Sequence, residues 1–350
     1  MVELNSRNAQ NSGDSKLSPS SKNPINVSVI IPYYQNDGNL LARAVNSVFT
    51  QNNGLEIEII IVDDESPFPA SEALKAVSPP ENVTIKVQKQ TNQGAAKARN
   101  TGLDLVGETT DYVAFLDSDD YWTPSHLALA VNGLQSNYDF YFSSRIVEDE
   151  KQDLFTKFDV ANHYLASRIT INEQAYWTVK QDFMMAIIRG FVVTSSVVYR
   201  FSPFKELRFP TTFFRFGEDQ YFFMLIAKRT DRILANESIG STYGSGVSIY
   251  SQQNFSSAKD FLRIQDEIRF RKKAINEIGL GNLEKTALKN RLIDARKALT
   301  AIALDRAKEK EFIFLYKMVT TDPLTFYYFI VSSLKKIIKS SRSQIRRFHI

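Results

Sequence analysis

Four short strand-like runs, each breaking into polar residues at its end and each separated from the next by a stretch with helical character, constrain this chain more than any other feature. Residues 27–31 are a solid β-branched run stopped by Pro32 and followed by Tyr33 and Tyr34. Residues 57–62 end in Asp63, Asp64, Glu65 and Ser66, residues 83–87 lead to Asn92, Gln93 and Gly94, and residues 113–116 break into Asp117, Ser118, Asp119 and Asp120. Short, continuously apolar runs of this kind are strands buried on both faces. Between them, residues 37–49 carry Leu40, Leu41, Ala44, Val45 and Val48 at helical spacing, residues 70–77 form a short helix, and residues 91–105 open a helix behind Gly94. Alternating strands and helices build a mostly parallel α/β sheet, whose ligands sit beyond the carboxyl ends of the strands. All four polar clusters fall there.

Composition narrows the chemistry. The 350 residues, 43% of them hydrophobic, suffice for one large core or two smaller ones. A net charge of +4 is too small to suggest a nucleic-acid binder, and none is expected as a partner. Without cysteine there are no disulfides or thiolate metal sites, and three well-separated histidines, His126, His163 and His349, do not make a zinc site. Residues 1–24, rich in Ser, Asn and Lys, read as a disordered leader that lacks the apolar stretch of a secretory signal. No run reaches the roughly 18 apolar residues of a membrane span. The expected location is the cytoplasm, at the inner face of the membrane if the tail docks there.

No G-x-G-x-x-G follows the first strand and no P-loop occurs, which argues against dinucleotide enzymes and P-loop NTPases. Phosphates would then be held by a metal. Asp117 and Asp119 form a D-x-D whose oxygens suit a hard divalent cation with open coordination positions. The same residues also suit a strand-ending turn in which Asp and Ser bond their own backbone. A second acidic pair, Glu218 and Asp219, follows Gly217 and precedes Phe222, Leu225 and Ile226, so it occupies a helix's first turn, as a cap or as working carboxylates.

The remaining chain is less regular. Residues 138–144 and 191–199 read as strands; Thr194, Ser195 and Ser196 in the latter either face an acceptor or are ordinary strand hydroxyls. Residues 145–180, with His163, Tyr164 and Trp177, are the expected acceptor region. From 255 to 304, Phe261, Ile264 and Ile268, then Leu288, Leu292, Ala295 and Leu299, mark helices packing on the preceding domain or on a partner. After Pro323 an apolar stretch runs into Lys335, Lys336, Lys339, Arg342, Arg346 and Arg347, which suits peripheral membrane contact through 323–350.

Taken in order, VSVIIPYY, IIIVDDES, NQGAAKARNTGL and AFLDSDDYW resemble the nucleotide-binding half of a GT-A glycosyltransferase of family 2, the inverting enzymes that use nucleoside-diphospho-sugars. The resemblance spans residues 27–122 and continues at FGED. It implies a Rossmann-like α/β domain over 25–250, mostly parallel with a mixed sheet flanked by helices, and a C-terminal helical region over 251–350. It implies that Pro32 and Tyr34 line the base pocket, that Asp64 accepts from the base (uracil, hence UDP), that Gly94 lets the backbone approach the ligand, and that Asp117 meets the ribose. Arg99 touches the nucleotide or supports the acids by ion pairing, and Asp120 orients its neighbours. Asp119 binds Mn2+ or Mg2+, Asp219 is the general base, and Glu218 supports it or binds the acceptor. The implied activity is transfer of one sugar to a hydroxyl of a saccharide or lipid-linked acceptor in surface polysaccharide synthesis; the alternative is a catalytically inactive nucleotide-sugar-binding protein or a membrane-associated scaffold. One departure stands out. Where family members carry a Tyr-Arg-x-His segment, this chain reads STYGSGVS: Tyr243 is kept, the histidine is lost, and glycine-rich backbone with Ser245 or Ser248 is the substitute expected to cradle phosphate. No Q-x-x-R-W follows, so processive synthesis is not expected.

Overall fold

The computed structural model describes residues 24–51, 54–179, 183–244 and 258–331. The expected leader, Ser245, Ser248 and the basic residues beyond 331 lie outside them. The alternating half comprises β1 (Ile25–Tyr33), α1 (Gly38–Phe49), β2 (Leu55–Asp63), α2 (Ala70–Ala73), β3 (Val83–Lys89), α3 (Ala95–Asp104) and β4 (Tyr112–Phe115). The second half adds β5 (Tyr121–Trp122), α4 (His126–Gln135), β6 (Phe140–Val147), α5 (Leu154–Phe158), α6 (Val160–Tyr164), β7 (Leu165–Ile171), β8 (Gln174–Val179), α7 (Phe183–Arg189), β9 (Val197–Arg200), α8 (Glu218–Ala227) and β10 (Ile233–Tyr243). Helices α9 (Ala258–Glu277), α10 (Asn282–Lys308) and α11 (Ile313–Thr321) follow.

One sheet, ordered β3-β2-β1-β4-β9-β6-β10-β8-β7 among the described residues, forms the centre, with β5 paired to β10. β1 lies parallel to β2 from Ile25↔Leu55 to Tyr33↔Asp63, and parallel to β4 from Val27↔Tyr112 to Ile30↔Phe115. The chain leaves β1 toward one side and returns on the other at β4, so the crevice between these two strand ends is the place where such sheets receive ligands. β9 runs antiparallel between β4 and β6, which makes the sheet mixed. Apolar cores cover both faces. Ile31, Leu41, Ala44 and Val48 belong to one; Ile30, Phe115, Tyr199 and Phe222 belong to the other.

Residues 191–199 do not form the continuous strand expected. Thr194–Ser196 are a turn of 3-10 helix, and only Val197–Arg200 pair; the Thr194 and Ser195 hydroxyls bond the acidic residues described below and that of Ser196 bonds the Val193 carbonyl. α2 stops at Ala73 rather than Val77. Residues 145–180 resolve into α5, α6 and the β7–β8 hairpin, with Tyr164 and Trp177 packed against the core. α9 rests directly under the start of α8: the Phe270 ring lies against Phe213 and Phe216, and a Cβ on Gly217 would sit 2.5 Å from it. Gly217 also has φ +84, so two independent constraints require glycine there. α9 and α10 thus pack on the preceding α/β half, and α9–α11 share a core of Phe261, Ile264, Leu292, Leu299 and Met318. Among the described residues no helix is long and apolar enough to cross a membrane.

Candidate active site

The loops after β1, β2 and β4 are fastened to one another. Pro32 and Tyr33 end β1 buried, whereas Tyr34 turns outward, 46% exposed, with a ring face available for stacking. Ser66 and Gln35 exchange hydrogen bonds (2.7 and 2.9 Å), and Gln35 Nε2 reaches Ser118 Oγ at 3.2 Å. The two acids after β2 have separate tasks. Asp63 closes its own loop, accepting from the Ser66 and Ala70 N–H groups at 2.8 and 2.9 Å. Asp64 accepts from Gln90 Nε2 (2.7 Å) and from the N–H groups of Gln93 (2.9 Å) and Gly94 (2.8 Å). It is 3% exposed and both its oxygens are engaged, so in this structure it is the strut that holds the 90–94 loop. Beside it, Asp63, Glu65, Ser66, Pro69, Lys89, Gln90 and Thr91 line a cleft of about 500 Å³, within the range of small-molecule sites. A second cleft of about 520 Å³, between α4 and the β7–β8 turn, is lined without any charged side chain and lies apart from the acids.

The acidic turn is built on Ser195. The Asp120 N–H closes the turn on the Asp117 carbonyl at 3.0 Å. Ser195 Oγ accepts from the Asp117 N–H at 3.1 Å and donates to Asp120 Oδ2 at 2.6 Å, while the Ser195 carbonyl accepts from Trp122 Nε1 at 2.7 Å. Asp120 Oδ1 takes the Gly244 N–H at 3.1 Å, tying the end of β10 to the turn. A Cβ on Gly244 would run into the Asp119 carbonyl oxygen and Arg43 Nη2. Asp120 thus bonds both the 3-10 turn at Ser195 and Gly244 at the end of β10.

Helix α1 supplies a support the sequence reading missed. Arg43 Nη2 donates to the Asp119 carbonyl at 3.0 Å, Ser47 Oγ accepts from the Trp122 N–H at 3.0 Å, and Gln51 bonds the Thr123 carbonyl (2.7 Å) and the Leu127 N–H (2.9 Å). Arg43 and Ser47 on α1 and Gln51 just past its end are spaced by four, so they line up as one polar row. That row was the available signal. Arg43 also pairs with Glu148 at 3.0 Å and stacks over Tyr121.

Arg99 joins the two acidic motifs. It is buried, with Nη2 2.7 Å from Asp117 Oδ1 and Nη1 3.2 Å from Glu218 Oε1. Burial opposes its charge, but Asp117, Glu218 and Asp219 more than offset this and raise its pKa. Asp219, in the first turn of α8, accepts from the Gln220 N–H at 2.7 Å and from Thr194 Oγ1 at 3.3 Å. Burial raises the pKa of Asp219 against the pull of Arg99, and burial with the Asp219 charge raises that of Glu218. Asp120 is likewise raised, by burial and then by Asp117 and Asp119.

Asp119 is pushed up to about 6 by burial and by the Asp117 carboxylate. A carboxylate that resists ionisation beside other carboxylates is a place where a divalent cation is favoured, and oxygen donors suit Mg2+ or Mn2+. Among the described residues no three His, Asp or Glu side chains converge as a complete ligand set. Asp119 therefore fits as a single anchor for an ion that completes its shell with ligand oxygens and water. Asp117 is held by Arg99. The lost histidine is not replaced by any described side chain at Tyr243, whose ring instead lies under Arg145 at 4.9 Å.

The model of the family described as "Glycosyl transferase family 2" matches residues 28–208. The succinoglycan biosynthesis protein ExoW of Rhizobium meliloti is 34% identical over 229 residues, covering 64% of this chain and 70% of that protein. The minor teichoic acid biosynthesis protein GgaA of Bacillus subtilis is 38% identical over 122 residues, 34% of this chain and only 26% of GgaA. Among solved structures, the mannosyltransferase PcManGT of Pyrobaculum calidifontis, in complex with GDP-Man and Mn2+, superposes with a TM-score of 0.54 at 18% identity over 92% of this chain and 90% of its own. S. aureus TarS 1–349 in complex with UDP-GlcNAc gives 0.52 at 18% identity over 84% and 90%. These two likenesses concern the GT-A fold.

Proposed function

The chain belongs to glycosyl transferase family 2, and on that premise we propose that it transfers one sugar, with inversion, from a nucleoside-diphospho-sugar to a hydroxyl of a saccharide or lipid-linked acceptor during surface polysaccharide synthesis. The observation that carries the reading is the Arg99 bridge: Asp117, on the donor side, and Glu218, beside Asp219, are held by one buried guanidinium although 101 positions apart in the chain. The 25–250 segment is then the catalytic domain. Tyr34 and the cleft at the ends of β2 and β3 receive the base, uracil by the family resemblance, and Asp117 faces the ribose. Polysaccharide synthesis is supported by what ExoW and GgaA are named for.

Asp219 acts as general base. The acceptor oxygen forms a bond to the anomeric carbon, its proton passes to the Asp219 carboxylate, and the bond to the diphosphate breaks with its electron pair kept by the phosphate oxygen. Burial makes Asp219 a stronger base than an ordinary aspartate, and a positioned base contributes about 10²- to 10⁴-fold. Thr194 and the Gln220 N–H fix the carboxylate's orientation, and Arg99 holds Glu218 in place beside it. A Mn2+ or Mg2+ ion at Asp119 would supply Lewis-acid stabilisation of the departing diphosphate. Attack opposite the leaving group inverts the anomeric centre.

The test is release of nucleoside diphosphate from a panel of nucleotide-sugars, with and without Mn2+, with the product's anomeric configuration read by NMR. Turnover of a UDP-sugar with an inverted product supports the reading. Donor binding without turnover on any acceptor class would support the inactive binding protein instead.

A further inference from the structure

A surface helix ordinarily turns its apolar stripe inward. The C-terminal end of the described chain does this and also presents a second apolar face outward. Met318 is buried in the helical core, with Phe314, Leu315 and Phe329 packed against it. On the opposite side, Phe312 (62%), Ile313 (53%), Tyr316 (66%), Leu324 (59%), Tyr327 (63%) and Ile330 (42%) are exposed. The face is held firmly. Asp322, 2% exposed, caps the helical turns of 324–331 through the Leu324 N–H and is gripped by Arg296 at 2.7 Å, while buried Thr325 bonds the Met318 carbonyl at 3.1 Å. Between 312 and 331 the only acid is this paired, buried Asp322.

The sequence that follows fixes the partner's chemistry. Residues 332–350 carry Lys335, Lys336, Lys339, Arg342, Arg346 and Arg347 without one acid, interleaved with Ile337, Ile338, Ile345 and Phe348. We propose that the exposed face of 312–330 docks on an anionic lipid bilayer, whose negative headgroups complement the basic sequence of 332–350. Aromatic and aliphatic groups enter the interface while basic groups meet negative headgroups, and the two contributions reinforce each other. A second copy of the chain fits less well: a symmetric pair would set the same patch against itself and bring two acid-free basic segments together. This inference is independent of the donor chemistry. It adds a surface to the fold, and it would keep the enzyme beside a lipid-linked acceptor.

The experiment uses the full chain and co-sedimentation with phosphatidylcholine vesicles, with and without phosphatidylglycerol. The variant combines Tyr316→Ser, Tyr327→Ser and Ile330→Ser, all exposed and outside the core, and hydrolysis of the donor in solution reports that the catalytic half is intact. Wild type is expected to bind only vesicles containing phosphatidylglycerol, with binding falling as salt rises, and the variant to bind at least about tenfold more weakly. Wild type that ignores anionic vesicles, or a variant that binds as wild type does, would overturn the proposal. So would concentration-dependent self-association by sedimentation velocity that the variant abolishes, with no vesicle binding by wild type.

Discussion

Removing the charge of Asp119 should stabilise the metal-free protein while disabling it. Burial and the Asp117 carboxylate raise its pKa from 3.8 to about 6. At about 1.36 kcal/mol per unit, two units correspond to at most about 3 kcal/mol, before solvent screening of a side chain that keeps some exposure. The sign follows from proton binding. The folded state holds this proton more tightly than the unfolded state, so the stabilisation is fully present below about pH 4 and is lost as pH rises through about 6. Asn at this position cannot ionise, and the Arg43 bond to the carbonyl of residue 119 does not depend on the side chain. Asp119→Asn should therefore match wild type at about pH 4 and exceed it by up to about 3 kcal/mol at about pH 7.5, both in EDTA. Urea denaturation at the two pH values measures this. Mn2+ should then raise the melting temperature of wild type at neutral pH and leave the variant unmoved. A variant that is less stable than wild type at neutral pH, or offset equally at both pH values, would refute the electrostatic argument.

Arg99→Met leaves Asp117 and Glu218 without their shared cation; a buried pair broken on one side costs about 3–5 kcal/mol, so the melting temperature should fall by several degrees at neutral pH and recover partly in acid, read by calorimetry. Gly244→Ala forces a methyl group onto the Asp119 carbonyl and Arg43, so sugar transfer should drop at least about tenfold and its Mn2+ requirement rise, with melting changed little because the clash is at a strand end; unchanged Mn2+ dependence would show that β10 does not set the turn.

The first, second and fourth strands were legible as largely apolar runs ending in polar residues, where the ligands of a parallel sheet gather, whereas β3, with Thr84 and Lys86, is mostly exposed. Asp117 and Asp119 could be named from such a strand end and Glu218 and Asp219 from the first turn of a helix, but their meeting through Arg99 could not, since no periodicity links β4 to α8. β10 escaped detection because Asn236 to Ser241 contains register shifts that break any alternation, and β5 has only two residues. Thr194 to Ser196 sit among β-branched residues that suggest a strand, yet the Thr194 and Ser195 hydroxyls bond Asp219 and Asp120, the Ser196 hydroxyl bonds the Val193 carbonyl, and the backbone forms a 3-10 turn. Asp64 carries bonds that no sequence pattern announced: its oxygens hold the 90–94 loop through Gln90, Gln93 and Gly94. The row Arg43, Ser47, Gln51 was readable in principle, as polar residues spaced by four along α1 and just past its end.

The account depends on Asp219 taking the acceptor's proton. The direct measurement is kcat of Asp219→Asn at saturating UDP-sugar and Mn2+, alongside calorimetric donor affinity. The account predicts a fall in kcat of about 10²- to 10⁴-fold with donor affinity retained; a variant that turns over at the wild-type rate would contradict it.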